Sequence, residues 1–353
     1  MALLPRIYLD HAATTPMIAA ARAAYIEAMD RWANPSSPHS EGRAARAALE
    51  NARARIKAAL GWHGELIFTS GASEAIGLGL QGAERVVVSD VEHDAVLAVS
   101  ADNPRLPVGP SGIVKLGAIS GPGRYAVQSV NNETGVIQPI TVTSQKIREE
   151  GGIWFADCSQ SAGKMPLPDA DIICISAHKL GGPPGIGALL TRDLGLLKPT
   201  GGQEQGYRRG TENLPAALAF AAALEAGYDW LDSAQRLRSR LDLAIIQAGG
   251  AVVAPDSPRI ATIAAYHMPG VSASSQLIGF DMEGIAVSAG SACSSGTLKS
   301  SHVLSAMGWK VKETNEVVRV SFGPKTMAEE IDRFVAVWRQ IAARAKISQG
   351  VAG

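Results

Sequence analysis

The chain is poor in cysteine and in aromatic residues, and it has no excess of either charge. Of its 353 residues three are cysteine and 5% are aromatic, while 33 Lys plus Arg balance 33 Asp plus Glu. Cys158, Cys174 and Cys293 include no close pair. That spacing excludes a disulfide framework and a four-cysteine zinc site, so no metal is expected and a reducing compartment is. Zero net charge and 19% charged residues argue against a disordered tail. They also argue against a surface built to hold a phosphate backbone, and no basic aromatic patch points to nucleic acid. No uninterrupted apolar run approaches the length of a membrane span, and the opening MALLPRIYLDH lacks the charged and apolar regions of a secretory signal. These absences predict a soluble, cytoplasmic, globular protein that needs no membrane.

What is present is a chain 46% apolar, long enough to bury roughly three quarters of its unfolded surface. Short apolar runs bounded by Gly, Ser and Asp alternate with alanine-rich stretches of helical period, the pattern of strands joined by crossover helices. Strands are expected at Glu65 to Ser70, Arg85 to Ser89, Tyr125 to Val130, Ile153 to Asp157, Ile172 to Ser176 and Ile186 to Thr191. Helices are expected at Pro16 to Arg31, Glu41 to Leu60, Ala72 to Gln81, Leu214 to Trp230 and Leu231 to Ala248. After about Asp232 the texture changes. Strands at Arg259 to Tyr266, Ile285 to Ser288 and Val317 to Phe322 are separated by helices at Ala273 to Phe280 and Ser301 to Met307, which reads as a smaller α+β unit. Thr326 and Glu329 form a Thr-x-x-Glu capping box that opens the last helix.

Lys179 lies just past the apolar run Ile172 to Ser176 and before a glycine-rich loop. That is the carboxyl edge of a strand, where open α/β sheets build their sites. Alone, a lysine there is ordinarily solvated. About twenty residues earlier, Ile153 to Ala156 ends in Asp157, and a buried carboxylate calls for a cationic partner. The protonated pyridine nitrogen of pyridoxal phosphate is such a cation, so Lys179 and Asp157 together suggest a Schiff-base lysine and its ring partner. The segment Ile67 to Glu74 (IFTSGASE) supplies a strand, a glycine turn and a helix start, hence an anion site with the Ser73 hydroxyl as an added donor. His93 follows the next strand and could stack on a flat cofactor. Cys293 sits in AGSACSSGT, a run of small and polar residues suited to a loop and to a reactive thiolate. Cys174, inside an apolar run, reads as packing, and Cys158 as at most a pocket wall.

The segments YLDHAATTP (from Tyr8), NPSSPH (from Asn34), TSGASE (from Thr69), VNNETG (from Val130), DCSQS (from Asp157), SAHK (from Ser176), RRGTEN (from Arg208), SACSSG (from Ser291) and VRVS (from Val318) follow one another along nearly the whole chain. In that order they resemble the class V, fold-type I pyridoxal-phosphate enzymes, and closely the cysteine desulfurases of the nitrogenase and iron-sulfur assembly type. The resemblance implies an α/β fold: a large domain over residues 15–231 with a mixed, mainly parallel sheet, and a small α+β domain from residues 1–14 and 232–353 that carries the Cys293 loop.

By the same resemblance Lys179 holds pyridoxal 5'-phosphate covalently, Asp157 meets its ring nitrogen, and Gln160 hydrogen-bonds its phenolic oxygen. His93 stacks on the ring and helps move protons. Ala72, Ser73, Ser176 and His178 contact the phosphate, Thr211 reaches the phosphate bound in a partner subunit, and a homodimer is thereby implied. Asn132 and Arg319 hold the substrate, Arg319 suiting a bidentate grip on its α-carboxylate. Ser73 replaces the family's usual threonine and keeps the hydroxyl, whereas Gln205 replaces a frequent arginine. The implied reaction takes sulfur from L-cysteine, releases L-alanine and leaves a persulfide on Cys293 for an iron-sulfur scaffold or a thiolation protein. Selenocysteine lyases and other class V aminotransferases and lyases share the lysine without needing a loop thiol, so Cys293 separates the readings.

Overall fold

A computed structural model describes residues 6–292 and 298–350; Cys293 lies outside the described residues. Seven strands make the central sheet, in the spatial order Glu65–Thr69, Gly187–Thr191, Ile172–Ser176, Ile153–Asp157, Arg124–Ala126, Val86–Ser89 and Arg105–Leu106. The last five run parallel, while Gly187–Thr191 is antiparallel to both its neighbours. The sheet is thus mixed and mainly parallel, as the resemblance implies.

Every residue of Ile172–Ser176 is buried, which a strand covered on both faces requires and which explains its unbroken apolar run. Alternate side chains go to opposite layers. Phe68, Val87, Trp154, Ile173 and Leu190 pack with the alanine-rich helix Leu214–Glu225, whereas Ile67, Val88, Phe155, Cys174 and Leu189 pack under the helix Ala72–Leu80. The helices Ala19–Ala28 and Ser40–Leu60 lie on Leu214–Glu225, whose many small side chains permit close approach. A separate apolar cluster joins Ile7 and Leu9 to Tyr266, Val318 and Trp338, with Phe280 stacked on Phe334 at 4.6 Å between ring centres. Its sheet is antiparallel, in the order Val317–Ser321, Ile263–His267, Ala251–Val252. Ile7–Tyr8 pairs in parallel with Ile285–Ala286, tying the amino-terminal segment to this cluster.

Several boundaries differ from expectation for local reasons. The helix expected over Leu214 to Trp230 ends at Glu225, because Gly227 turns the chain at φ +74°. The strand expected from Arg259 begins at Ile263, since Ile260 donates its amide to the Gly135 carbonyl instead of to a ladder partner. Ile140–Glu149 is a helix that its β-branched opening, ITVT, conceals; it buries Thr143, Ser144 and Ile147 on one face. The Thr326–Glu329 capping box does not form. Thr326 Oγ1 accepts from the Gly323 amide at 3.0 Å and Glu330 from the Met327 amide at 2.9 Å, so the last helix, Ala328–Gly350, starts one turn position later.

Gly135 turns the chain at φ +76° between Asn132 and the small sheet, and a Cβ there would stand 2.4 Å from the Ile263 carbonyl oxygen. A backbone atom cannot rotate away. Gly135→Ala is expected to cost about 2–4 kcal/mol, the range for combined backbone strain and overpacking, read as a lower urea midpoint at unchanged m-value.

Candidate active site

The carboxyl ends of the parallel strands converge, with Arg319 of the small sheet, on a cavity of about 550 Å³. Four of the seven strands each deliver one part of its wall. Glu65–Thr69 leads into the Gly71 turn with Ala72 and Ser73; Val86–Ser89 leads to His93; Ile153–Asp157 ends in Asp157; Ile172–Ser176 supplies Ser176, then His178 and Lys179 on a single 3₁₀ turn. Asn132 and Arg319 complete the wall beside one another.

Part of the cavity wall is built for an anion. The helix Ala72–Leu80 starts at Gly71 with no side chain capping it, so the amides of Ala72, Ser73 and Glu74 lack intrahelical acceptors. The first-turn carboxylate of Glu74 is already engaged: it accepts from the Ser70 amide and pairs with Arg208 at 3.1 Å. The turn sits hard against the neighbouring strand, where a Cβ on Gly187 would lie 2.8 Å from the Gly71 Cα. Beneath it a buried pair braces the strand, with both Glu204 oxygens on Arg53 at 2.8 and 2.9 Å and Glu204 also accepting from the Phe68 amide at 2.7 Å.

The wall also holds an amine and a carboxylate. Burial pushes the Lys179 amine below the ordinary lysine range, and the nearby Arg319 adds to this, while Asp157 opposes it. Asp157 is 9% exposed and its Oδ1 accepts from the Ser159 amide at 2.8 Å. Burial, reinforced by Lys179, lowers both His93 and His178, the latter to about 4. The His93 Nδ1 accepts from the Ala95 amide at 3.0 Å as it caps the helix Asp94–Ala98. Its neutral ring therefore carries the proton on Nε2.

Free amides and a hydroxyl for a phosphate, a carboxylate for a protonated ring nitrogen and an amine of lowered basicity for an aldehyde are the donor set that pyridoxal 5'-phosphate requires. The residues present fit the group.

Two expected residues stand apart from the cavity wall. Gln160 is buried, donates from Nε2 to the Ala12 carbonyl at 2.9 Å, and leaves Oε1 unpartnered. Thr211 is exposed on the loop before Leu214–Glu225. Arg319 lines the cavity with its fork already engaged: Nη1 donates to the Asn132 carbonyl at 3.0 Å and Nη2 to Asp10 at 2.8 Å, leaving Nε without a partner. Cys158 and Cys174 are both buried, with burial raising both thiols. The cavity wall also includes Asp10, Glu133 and His302, which sequence reasoning passed over. Asp10 lies inside the quoted Tyr8 to Pro16 motif, and Glu133 inside Val130 to Gly135. His302 had no signal, since an isolated histidine at a helix start is ordinary.

A match to the family described as aminotransferase class-V spans residues 7–334. The chain belongs to that family of pyridoxal-phosphate enzymes. Within it, the chain is 34% identical to a cysteine desulfurase of Bradyrhizobium diazoefficiens, over 97% of this chain and 96% of that one. It is also 34% identical to an IscS-like cysteine desulfurase of Mycobacterium tuberculosis, over 96% and 97%. A NifS-like protein from Rickettsia africae has the same fold, with a TM-score of 0.88, 28% identity, and coverage of 95% and 99%.

The lowered Lys179 amine makes a prediction about pH. Deprotonation sets reactivity, so reductive methylation of Lys179 in the cofactor-free protein, followed by peptide mass spectrometry, is expected to rise with a midpoint below the ordinary value of about 10.4. Asp157→Asn removes the charge that favours the ammonium form, and should move the midpoint further down. A midpoint at or above the ordinary value contradicts the assignment.

Proposed function

We propose that this protein is a cysteine desulfurase, which takes the sulfur from L-cysteine with pyridoxal 5'-phosphate, releases L-alanine and carries the sulfur as a persulfide on Cys293. The observation that carries this reading is the meeting of opposite demands in one cavity: uncapped helix amides together with Lys179 and Asp157 on the same wall. The bound cofactor supplies an electron sink that acidifies the substrate α-carbon and activates the bond to sulfur. The chain's own groups do the rest. Ala72, Ser73, Ser176 and His178 anchor the phosphate, Asp157 keeps the ring nitrogen protonated, and Gln160 and His93 flank the ring. Lys179, freed when substrate binds, takes the α-proton at Nζ; its lowered basicity leaves more of it neutral at neutral pH. Arg319 and Asn132 orient the substrate, the carboxylate exchanging with Asp10 on the guanidinium fork.

Gly290 before the Cys293 segment and His302 after it both line the cavity, which supports the assignment of the sulfur-accepting thiol. Purified protein loaded with the cofactor should absorb near 400 nm, and Lys179→Ala should lose that band. With L-cysteine, alanine formation by Cys293→Ala should fall at least a hundredfold and no persulfide should be trapped by alkylation. Alanine formed by that variant at the wild-type rate would favour a lyase.

The protein is further read as a cytoplasmic homodimer that hands sulfur to an iron-sulfur scaffold or a thiolation protein. Among the described residues no helix is long and apolar enough to cross a membrane. Exposed Thr211 suits a reach into a second copy. Ile26, Met29 and Trp32 follow one another along the amino-terminal helix and its exit, 51%, 63% and 78% exposed, an apolar patch that a second copy would cover. Sedimentation should give a dimer mass, and the double variant Met29→Asp, Trp32→Asp should sediment as a monomer.

A further inference from the structure

Lys179 also lines a second, smaller cavity of about 150 Å³. Its wall draws on three remote parts of the chain: Ile18 ahead of the helix Ala19–Ala28, Ala223 and Tyr228 at and beyond the end of Leu214–Glu225, and Phe322 and Pro324 past the strand Val317–Ser321. Most of this lining is apolar. Lys164 is the exception, because it brings an ammonium group into the wall. No aspartate or glutamate lines the cavity among the described residues.

The turn that carries Lys164 is fixed from both sides. Its amide donates to the Ser161 carbonyl at 2.9 Å, and Gly163 before it turns at φ +75° with the Tyr228 ring laid against it, where a Cβ would stand 2.6 Å from the ring. Among the described residues the Lys164 amine has no hydrogen bond and no ion pair. The titratable groups it meets bring no negative charge. Lys179 repels it, and His11, held down to about 4 by burial and then by Lys164 itself, is neutral. Burial, followed by the Lys179 ammonium, accordingly pushes the Lys164 amine down to about 8. The Tyr228 hydroxyl is buried without a partner, and burial raises its pKa, so it keeps its proton as a donor.

A cation without a counter-ion and a hydroxyl without an acceptor, set in an apolar chamber, call for an anion. A dianion such as phosphate would press charged oxygens against the apolar lining. A carboxylate has two oxygens for two donors, and its tail can fill the space between Ile18, Ala223 and Phe322. A cavity of this size takes a benzene-sized molecule, about six non-hydrogen atoms. We propose that this cavity is a binding site for a small apolar monocarboxylate of about the size of butyrate, held by Lys164 with Tyr228 as second donor. The site is separate from the one that holds the substrate carboxylate, and it stands whether or not the protein is a desulfurase. The bound carboxylate stabilises the ammonium form of Lys164, so affinity is level below about pH 8, where the free amine is already protonated, and falls about tenfold per unit above it.

The test is calorimetric titration of sodium butyrate into the full chain, repeated across the pH range around 8. One saturable site per chain is expected, with the pH profile just described. Butyramide, of the same shape without the charge, is expected to bind at least tenfold more weakly, and Lys164→Met to weaken butyrate by at least tenfold. Arg319→Gln is the control for the substrate cavity and is expected to bind butyrate within threefold of wild type. The wild-type pH profile tests the assignment even where Lys164→Met does not fold, because Arg319 stays charged throughout and would give a level profile. Absence of saturable binding to wild type overturns the proposal, as does a level profile above pH 8, equal binding of butyramide, or butyrate affinity unchanged by Lys164→Met. Loss of binding in Arg319→Gln also overturns it, by placing the carboxylate in the substrate cavity.

Discussion

An amine and a carboxylate kept at the edge of water, Lys179 and Asp157, are the constraint on which the rest of the molecule depends. Each is costly to bury alone. The fold meets this by placing both at the carboxyl ends of adjacent parallel strands, where the backbone has left the sheet and the side chains face a cavity rather than a core. Ala156, one residue before Asp157, and Ile175, four residues before Lys179, are fully buried. The boundary between core and site is at most one turn wide.

The part of the wall built for an anion follows from a different economy. Nothing charged is needed to hold an anion there, because a helix begins without a cap and its own amides are unsatisfied. That arrangement is stable only if the competing carboxylate is diverted, which Arg208 and the Ser70 amide do for Glu74. It is accurate only if the turn cannot drift, which the contact of Gly71 with Gly187 and the buried Arg53–Glu204 pair prevent. The residues that make the anion site work are therefore mostly not in it.

The tautomer of a histidine on this wall is set by its hydrogen bond to backbone rather than by residue type. His93 and His302 have the same side chain and share a cavity, yet an amide donor on one and a carbonyl acceptor on the other give their neutral rings opposite tautomers.

Much of this was legible in the sequence. The two-sided strands announce themselves as unbroken apolar runs, the anion turn as Ser-Gly before a helical pattern, and Lys179 and Asp157 as polar residues following directly on those runs. What the sequence could not determine were the helix that starts on β-branched residues at Ile140, the early stop at Gly227, and the cap that moved to Glu330, because each depends on which neighbour buries which face. Nor could it show that the Arg319 fork is shared between Asp10 and the Asn132 carbonyl, contacts spanning most of the chain. Residue types and their order fixed the kinds of chemistry available. Distances between residues remote in sequence decided which nitrogen, of which histidine, is free to take a proton, since that depends on backbone groups which any sequence supplies and only the fold brings near.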